Sequence, residues 1–160
     1  MIREVRGDIL LSKADVLAHG VAPNDDFGSG LALALRERWP AMYKDFRHHC
    51  HIDHPPSGDL WLWGGPGVRI ASLFTQKAAY DHGARPGTAT LEYVNGALRS
   101  LRHAIEKESF ASVALPRLAT GVGRLAWEDV QPLIEHHLGD LPIPVYVYSV
   151  YEANHAAKEG

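Results

Sequence analysis

The alternation of apolar and polar residues predicts six β-strands. The segments are residues 2–6, 16–21, 60–63, 68–74, 113–115 and 144–151. β-branched and aromatic residues are frequent in them, and turn-forming residues lie between them, as is typical of strands. The sequence Gly-Gly-Pro-Gly at 64–67 predicts that the third and fourth strands form a hairpin.

Two segments in the first two thirds of the chain favour helices. Residues 31–39 consist largely of good helix formers, and Pro40 is expected to end this helix. Apolar residues recur at offsets of three and four over residues 91–105, which predicts a helix with one apolar face. Thr88 or Thr90 is its candidate N-cap, because a threonine hydroxyl can accept a hydrogen bond from the first turn.

A last helix is predicted with Val130, Leu133, Ile134 and Leu138 on its apolar face, and Pro132 places its first turn near residues 128–131. The polar, glycine-containing segment 76–87 predicts a loop. Strands that alternate with helices at this spacing predict an α/β fold, a three-layer α/β/α sandwich around a mixed, mostly parallel six-stranded sheet. We expect a single domain over residues 1–151 and a polar C-terminal tail over 152–160.

Composition restricts the class of protein. The 160 residues carry a net charge of -3, and 46% of them are hydrophobic, which is ordinary for one globular domain. This negative net charge argues against non-specific electrostatic binding of nucleic acid, which normally needs a strongly basic surface. Cys50 is the single cysteine, and no apolar stretch approaches the roughly 20 residues of a membrane span. The strand pattern starts at Met1, which leaves no room for a signal peptide. We therefore expect a cytoplasmic monomer that does not associate with membranes.

Histidines at 48, 49, 51 and 54 surround Cys50 and raise the question of a zinc site. These residues crowd into one short segment, without a second pair elsewhere at the spacing that a tetrahedral site prefers. We therefore interpret the cluster as a solvated helix end, and we expect no metal and no cofactor.

Two glycine-rich turns carry the main functional signal. Phe-Gly-Ser-Gly at 27–30 and Ala-Thr-Gly-Val-Gly at 119–123 each follow a predicted strand and precede a predicted helix. Glycine lets the backbone approach an anion closely, and a helix N-terminus offers unpaired N–H groups. Two such turns on neighbouring strands could enclose a pyrophosphate from both sides, so they predict a ligand that contains a diphosphate.

Four motifs, in their order and spacing, resemble the macrodomain family. They are Val-Arg-Gly-Asp-Ile at 5–9, Leu-Ala-His-Gly at 17–20, Phe-Gly-Ser-Gly-Leu-Ala at 27–32, and Leu-Pro-Arg-Leu-Ala-Thr-Gly at 115–121, continuing to Trp127. The resemblance covers residues 4–151. It is strongest to the branch that contains the terminal ADP-ribose protein glycohydrolase and the macrodomain of a chromatin-remodelling helicase.

The resemblance implies that the chain binds ADP-ribose. The carboxylate of Asp8 is then expected to accept the adenine amino group, although Asp8 could instead be a structural turn cap. The two glycine turns are expected to hold the pyrophosphate and the distal ribose. The ligand-binding residues implied in this way are Asp8, Ile9, His19, Phe27, Gly28, Ser29, Gly30, Leu31, Pro116, Arg117, Ala119, Thr120, Gly121, Val122, Gly123, Arg124, Tyr148 and Tyr151. Phe27 and the two tyrosines are candidates to pack on adenine or ribose, with the hydrophobic core as the alternative.

The chain departs from the resemblance at two catalytic positions. In the glycohydrolase of this branch, a lysine after a strand-end threonine attacks the distal ribose, and an aspartate in the second glycine turn completes the reaction. A gap-free match puts Gln76 at the lysine position and Gly123 at the aspartate position. Lys77 follows one residue later, and because strand side chains alternate, this offset is expected to turn Lys77 away from the site unless a bulge intervenes.

Other hydrolytic routes need only a placed water and modest acid-base help. Asp25 and Asp26 precede the first glycine turn, and either carboxylate could activate water or hold the distal ribose; solvated loop charges are the alternative. His82 could shuttle protons, because an unperturbed histidine has a pKa of about 6.5. The candidate catalytic residues are therefore Asp25, Asp26, Gln76 and Lys77.

These observations predict a protein that binds ADP-ribose and hydrolyses ADP-ribosyl linkages on a modified protein or nucleic acid. Nucleic acid is expected only as an ADP-ribosylated substrate. Two alternatives stay open: a non-catalytic module that reads ADP-ribosylated targets, and a deacylase or phosphatase of free ADP-ribose derivatives. Gln76 and Gly123 favour the non-catalytic reader.

Overall fold

The computed structural model describes residues 1–78, 80 and 87–160. One mixed sheet contains six strands, β1 (Ile2–Gly7), β2 (Val16–Val21), β3 (Leu60–Gly65), β4 (Val68–Phe74), β5 (Val113–Pro116) and β6 (Val145–Tyr151). Their order across the sheet is β1-β6-β5-β2-β4-β3. All neighbouring pairs are parallel except β3 and β4, which form the predicted antiparallel hairpin.

Helices cover both faces of this sheet. They are α1 (Gly30–Arg38), α2 (Pro40–Asp53), α3 (Leu91–Glu108) and α4 (Trp127–Leu138). Strand β2 shows how the two cores are separated: Val16 and Ala18 pack into the core beneath α3 and α4, whereas Leu17 and Val21 pack into the core beneath α1 and α2. This alternation is the period of two expected for a strand buried on both faces. The predicted three-layer sandwich is confirmed.

The three predicted helices are correct in kind and differ in detail, whereas α2 was not predicted from the sequence. Thr90 is the N-cap of α3, and its hydroxyl accepts a hydrogen bond from the N–H of Tyr93 at 3.1 Å. Pro40 does not merely follow α1, because it occupies the first position of α2, where a missing N–H costs nothing. Helix α4 begins at Trp127, so Pro132 lies inside it, beyond the first turn.

Residues 76–87 were predicted to form a loop, and the structure describes only part of them. Gln76 forms an isolated bridge with Ala89, which ties the end of β4 to the start of α3. His82 lies outside the described residues. Among the helices that are described, none is both long and apolar enough to cross a membrane.

The predicted polar tail, residues 152–160, lies against the domain. It contains no helix or strand after Tyr151. Its backbone and side chains nevertheless hydrogen-bond to Asp8, Ser12 and Tyr148, so the segment is part of the packed structure at the end of β1 and β6.

Candidate functional site

The candidate site lies where the carboxyl ends of the parallel strands meet. Consecutive strands β1 and β2 are separated in the sheet by β6 and β5, so the chain crosses over before it returns. In open α/β sheets, such a crossover leaves a crevice outside the carboxyl ends of the strands, and ligands bind there. Two adjoining cavities occupy this edge, and Gly30, Leu31 and Pro116 line both.

The first of them, the apolar cavity, has a volume of about 420 Å³. Its lining consists of Gly7, Asp8, Ile9, Leu10, Gly30, Leu31, Ala34, Pro116, Tyr148 and Tyr151. Aliphatic and aromatic groups dominate this wall, and Asp8 is the one carboxylate in it. Such a cavity suits a flat apolar ring that carries a hydrogen-bond donor at its edge.

Asp8 is 5% exposed and already has hydrogen-bond donors. One carboxylate oxygen accepts from the N–H of Leu10 at 3.0 Å and the other from the N–H of Asn154 at 3.0 Å. Asp8 is therefore the turn cap that the sequence left as an alternative. A carboxylate has about four lone-pair sites, so the same group can still accept a hydrogen bond from a ligand in the cavity.

The second cavity, the polar cavity, has a volume of about 260 Å³. It is lined by His19, Gly20, Val21, Asp25, Ser29, Gly30, Leu31, Ala32, Gln76, Pro116, Arg117, Leu118, Ala119, Gly121, Val122 and Gly123. Residues that carry an imidazole, a carboxylate, an amide and a guanidinium thus line one small space. This set can bind hydroxyl groups and can hold a water molecule for reaction.

The first glycine turn forms the N-terminus of α1. Ser29 is the N-cap residue, and no side chain of the described residues caps the first turn of this helix. Gly30 has a φ of 60°, the left-handed region that favours glycine, and a Cβ added there would meet nothing within 4 Å. The first-turn N–H groups therefore border open space at the junction of the two cavities, where an anion would be stabilised.

The second glycine turn combines an open residue with a packed one. A Cβ added to Gly121 would meet nothing within 4 Å, whereas one added to Gly123 would lie 2.6 Å from the carbonyl oxygen of Ala119. The carbonyl of Gly123 also accepts a hydrogen bond from Ala89 at 3.1 Å. Gly123 is thus required for packing, and no carboxylate side chain fits at this position without movement of the loop.

His19 forms part of the polar cavity from the middle layer of the molecule. Its side chain is 1% exposed, and its Nε2 lies 2.8 Å from the hydroxyl oxygen of Ser72. Burial lowers the pKa of His19 to about 3, so the ring is neutral at physiological pH. Within the part of the chain that the structure describes, His19 Nδ1 and Thr75 Oγ1 are the buried side-chain atoms without a hydrogen-bond partner.

Asp25 and Asp26 have different surroundings. Asp25 lines the polar cavity, and its two oxygens accept from the N–H groups of Phe27 at 2.8 Å and Ala22 at 3.4 Å. Burial raises the pKa of Asp25, and the neighbouring Asp26 raises it further. Asp26 is exposed, and it accepts from the N–H of Gly28 at 3.1 Å outside the cavity lining. Asp25 is therefore the carboxylate with access to a substrate.

Gln76 and Lys77 point in different directions, as the offset predicts. Gln76 is 4% exposed, lines the polar cavity and donates a hydrogen bond to the carbonyl of Gly87 at 3.0 Å. Lys77 is exposed and does not belong to the lining of either cavity.

The structure brings most of the predicted ligand residues to the two cavities. Those that line neither cavity are Phe27, Gly28, Thr120 and Arg124. Phe27 is fully buried in an aromatic cluster, with its ring centroid 4.7 Å from that of Phe46, so it belongs to the core alternative. The Thr120 hydroxyl donates to the carbonyl of Arg117 at 2.8 Å and stabilises the turn itself.

Sequence reasoning missed several lining residues. They are Gly7, Leu10, Gly20, Val21, Ala32, Ala34 and Leu118. Gly7 and Val21 end β1 and β2, and Ala32 and Ala34 lie in the first two turns of α1. The end of each predicted parallel strand was an available signal, because ligands of open α/β sheets bind at the carboxyl ends of strands.

Cys50 and the histidines near it lie in α2 and at its C-terminal end. Cys50 is buried and accepts a hydrogen bond from the N–H of Asn24 at 3.2 Å. Over residues 1–78, 80 and 87–160, no group of three or more histidine, cysteine, aspartate or glutamate side chains is arranged to hold a metal ion.

Known proteins share this arrangement. The chain is 29% identical to the DNA ADP-ribosyl glycohydrolase of Thermus aquaticus over 156 residues, which are 95% of this chain and 42% of that protein. It is 26% identical to the Homo sapiens ADP-ribose glycohydrolase OARD1 over 150 residues, covering 93% of this chain and 91% of that one. The macrodomain of Thermus aquaticus DarG has a TM-score of 0.81 to this structure at 28% identity, covering 93% of this chain and 98% of that chain.

The similarities cover nearly all of this chain but less than half of the Thermus aquaticus glycohydrolase. No protein-family model matches the chain. It spans about two fifths of the length of the Thermus aquaticus glycohydrolase. The similarities nevertheless cover 95% of this chain in the Thermus aquaticus glycohydrolase and 93% in OARD1. The chain therefore has the fold of the macrodomains and is similar in sequence to these proteins.

Proposed function

We propose that the chain binds ADP-ribose across the two cavities. The observation that carries the proposal is their junction: an apolar cavity and a polar cavity meet at Gly30, Leu31 and Pro116, beside the uncapped N-terminus of α1. ADP-ribose has the same order of parts, a flat base with its ribose, a diphosphate and a second ribose. The diphosphate would lie at the junction, where first-turn N–H groups are free to bind an anion.

The adenine ring would occupy the apolar cavity. Tyr148 and Tyr151 supply aromatic surface there, and Asp8 supplies an acceptor for the exocyclic amino group. Tyr151 is 68% exposed, so its ring is free to close over a bound base. This arrangement supports recognition of adenine by stacking and by one charge-assisted hydrogen bond.

The distal ribose would occupy the polar cavity, where we propose that its linkage to a modified macromolecule is hydrolysed. A water oxygen bonds to the anomeric carbon, the bond from that carbon to the leaving group breaks, and Asp25 accepts the proton of the water. A carboxylate leaving group departs with the bonding electron pair and needs no proton. The raised pKa of Asp25 supports a role as general base, because it makes the carboxylate a better proton acceptor.

Two of the relatives are named a DNA ADP-ribosyl glycohydrolase and an ADP-ribose glycohydrolase. We propose modified protein or nucleic acid as the substrate of this chain. The test is incubation with glutamate-linked, serine-linked and DNA-linked ADP-ribose, together with the phosphorylated and acetylated free derivatives. Release from a macromolecular linkage supports the proposal. Turnover of the free derivatives alone would replace it with a phosphatase or deacylase.

A non-catalytic reader is the second candidate, and Gln76 is the observation that favours it. An amide stands in the polar cavity at the position where the resemblance implies a lysine nucleophile, and Gly123 leaves no room for the implied aspartate. A reader would bind all linkages that expose the terminal ADP-ribose and release none of them. Binding without release in the same linkage series would therefore establish the second candidate.

We further propose that the protein is a cytoplasmic monomer. The lone, buried Cys50 supports a reducing compartment, because it has no partner cysteine in the chain. Light scattering after size-exclusion chromatography tests the monomer, for which the expected mass is 17.6 kDa. A mass of about 35 kDa, that of a C2 dimer, would contradict it.

A further inference from the structure

Residues 152–160, here called the C-terminal segment, pass behind the apolar cavity. The N–H of Glu152 donates to the carbonyl of Gly7 at 3.1 Å, and the N–H of Asp8 donates to the carbonyl of His155 at 2.7 Å. The N–H of Asn154 donates to the Asp8 carboxylate at 3.0 Å. The segment thus follows β6 directly and hydrogen-bonds to the C-terminal end of β1, where Asp8 lines the cavity.

Glu159 is the most heavily engaged side chain of this segment. Its carboxylate accepts from the hydroxyl of Ser12 at 2.6 Å and from the N–H of Lys13 at 3.0 Å. It also accepts from the hydroxyl of Tyr148, and its main-chain carbonyl accepts from the hydroxyl of Tyr146. Burial raises the pKa of Tyr148 and the bond to Glu159 adds to this, so the phenol stays protonated and donates.

Two residues that line the apolar cavity are therefore held from behind by the same segment. Asp8 and Tyr148 both line the apolar cavity, and each is hydrogen-bonded to the segment, through Asn154 and Glu159 respectively. A side chain that is fixed before a ligand arrives loses less conformational entropy on binding. Contacts on the far side of the wall can consequently change affinity without touching the ligand.

We propose that the C-terminal segment is a positioning element for the adenosine half of the ligand, with Glu159 fixing the ring of Tyr148 and Asn154 fixing the carboxylate of Asp8. Glu159 is a positioning residue, since it acts through Tyr148. The proposal rests on the binding of ADP-ribose proposed above and adds residues outside both cavities to the determinants of affinity.

The test compares the dissociation constants of AMP and ADP-ribose for the whole chain and its variants. Glu159→Ala should weaken both ligands by the same factor, about threefold to tenfold, because it frees one side chain of the cavity wall. Glu159→Gln should restore most of this loss, since its amide oxygen still accepts from Tyr148. The matched control is Glu135→Ala, an exposed glutamate on α4, which should change neither constant.

A double-mutant cycle separates positioning from a general loss of stability. Tyr148→Phe keeps the ring and removes the hydroxyl, so it should weaken AMP about as much as Glu159→Ala does, and the double variant should be no weaker than either single variant. Equal AMP affinity in folded wild type, Glu159→Ala and Tyr148→Phe would overturn this inference alone. If Glu159→Ala does not fold, Tyr148→Phe and Glu159→Gln still decide it. Failure of the wild type to bind either ligand would instead overturn the proposed function.

Discussion

Among single residues, His19 combines deep burial with a titratable ring. Its Nε2 lies 2.8 Å from Ser72, its ring centroid lies 5.4 Å from that of Phe27, and burial lowers its pKa to about 3. A neutral imidazole in the polar cavity can hold a hydroxyl or a water by hydrogen bonding. Because its pKa is low, it cannot act as a cationic acid near neutral pH, and the hydrolysis proposed above therefore assigns the proton transfer to Asp25.

The lowered pKa of His19 predicts a specific dependence of stability on pH. The unfolded chain protonates this histidine near pH 6.5 and the folded chain only near pH 3, so stability is fully present above pH 6.5 and is lost as pH falls toward 3. At pH 5 the loss from His19 should be about 2 kcal/mol relative to pH 7.5. Urea unfolding of wild type and His19→Asn measures it. His137, whose pKa burial also lowers, contributes equally to both proteins, and identical pH dependence of the two would contradict the assignment.

Asp25 and Asp26 form a matched pair for testing the hydrolytic step. Asp25→Asn keeps the oxygen that accepts from Phe27, so the turn should fold, while its loss as a base should lower hydrolysis about a hundredfold or more. Asp26→Asn should leave the rate within about threefold, because Asp26 is exposed outside the cavity and its interactions are screened by solvent.

In wild type the rate of hydrolysis should rise with pH as Asp25 loses its proton, over a pH range above that of an ordinary aspartate. Equal rates for the two variants would remove Asp25 from the mechanism.

Lys77 should be dispensable for any release of ADP-ribose. Its side chain is exposed and outside both cavities, so Lys77→Ala should retain the rate within about tenfold. Mass spectrometry of the wild type during turnover should show no lysine adduct. A trapped adduct at Lys77, with loss of turnover but not of binding in the variant, would show that the segment after β4 rearranges around the substrate.

Among the structural elements, the two glycine turns divide between ligand space and packing. Gly121→Val places its side chain where no protein atom lies within 4 Å of the added Cβ, so it should abolish ADP-ribose binding and leave the melting temperature nearly unchanged. Gly123→Ala is the contrasting variant, because its Cβ would lie 2.6 Å from the Ala119 carbonyl, and it should lower the melting temperature. Binding at wild-type affinity by Gly121→Val would mean that this turn does not contact the ligand.

The same turns show what a sequence can reveal about a site. Their glycine content and their place between strand and helix predicted the cavity walls, and the alternation of strand side chains predicted that Gln76 faces inward while Lys77 does not. Gly121 faces empty space, whereas Gly123 packs against Ala89 and Ala119. This difference depends on how the loop folds, which the sequence does not show. Phe27 carries a φ of 51° and turns into the aromatic core, which its residue type does not disclose.

For the whole molecule, the two cavities follow from the strand order β1-β6-β5-β2-β4-β3. Apolar periodicity predicted the six strands, three of the four described α-helices and their layering, because these depend on local spacing; α2 was missed. Strand order depends on contacts between distant parts of the chain, and it explains why Asp8, Pro116 and Tyr148 share a wall. The sequence likewise could not predict that residues 152–160 pack against the domain, since a polar composition does not distinguish a free tail from one that is hydrogen-bonded to the domain.

Calorimetric titration with ADP-ribose and AMP tests the central claim most directly. The paired cavities predict one-to-one binding of ADP-ribose, with AMP binding more weakly because it leaves the polar cavity empty. Each additional well-placed hydrogen bond to the diphosphate or distal ribose should contribute about 0.5–1.5 kcal/mol, so ADP-ribose should bind at least about tenfold more tightly than AMP. Absence of saturation by ADP-ribose at millimolar concentration, or equal affinities for the two ligands, would contradict it.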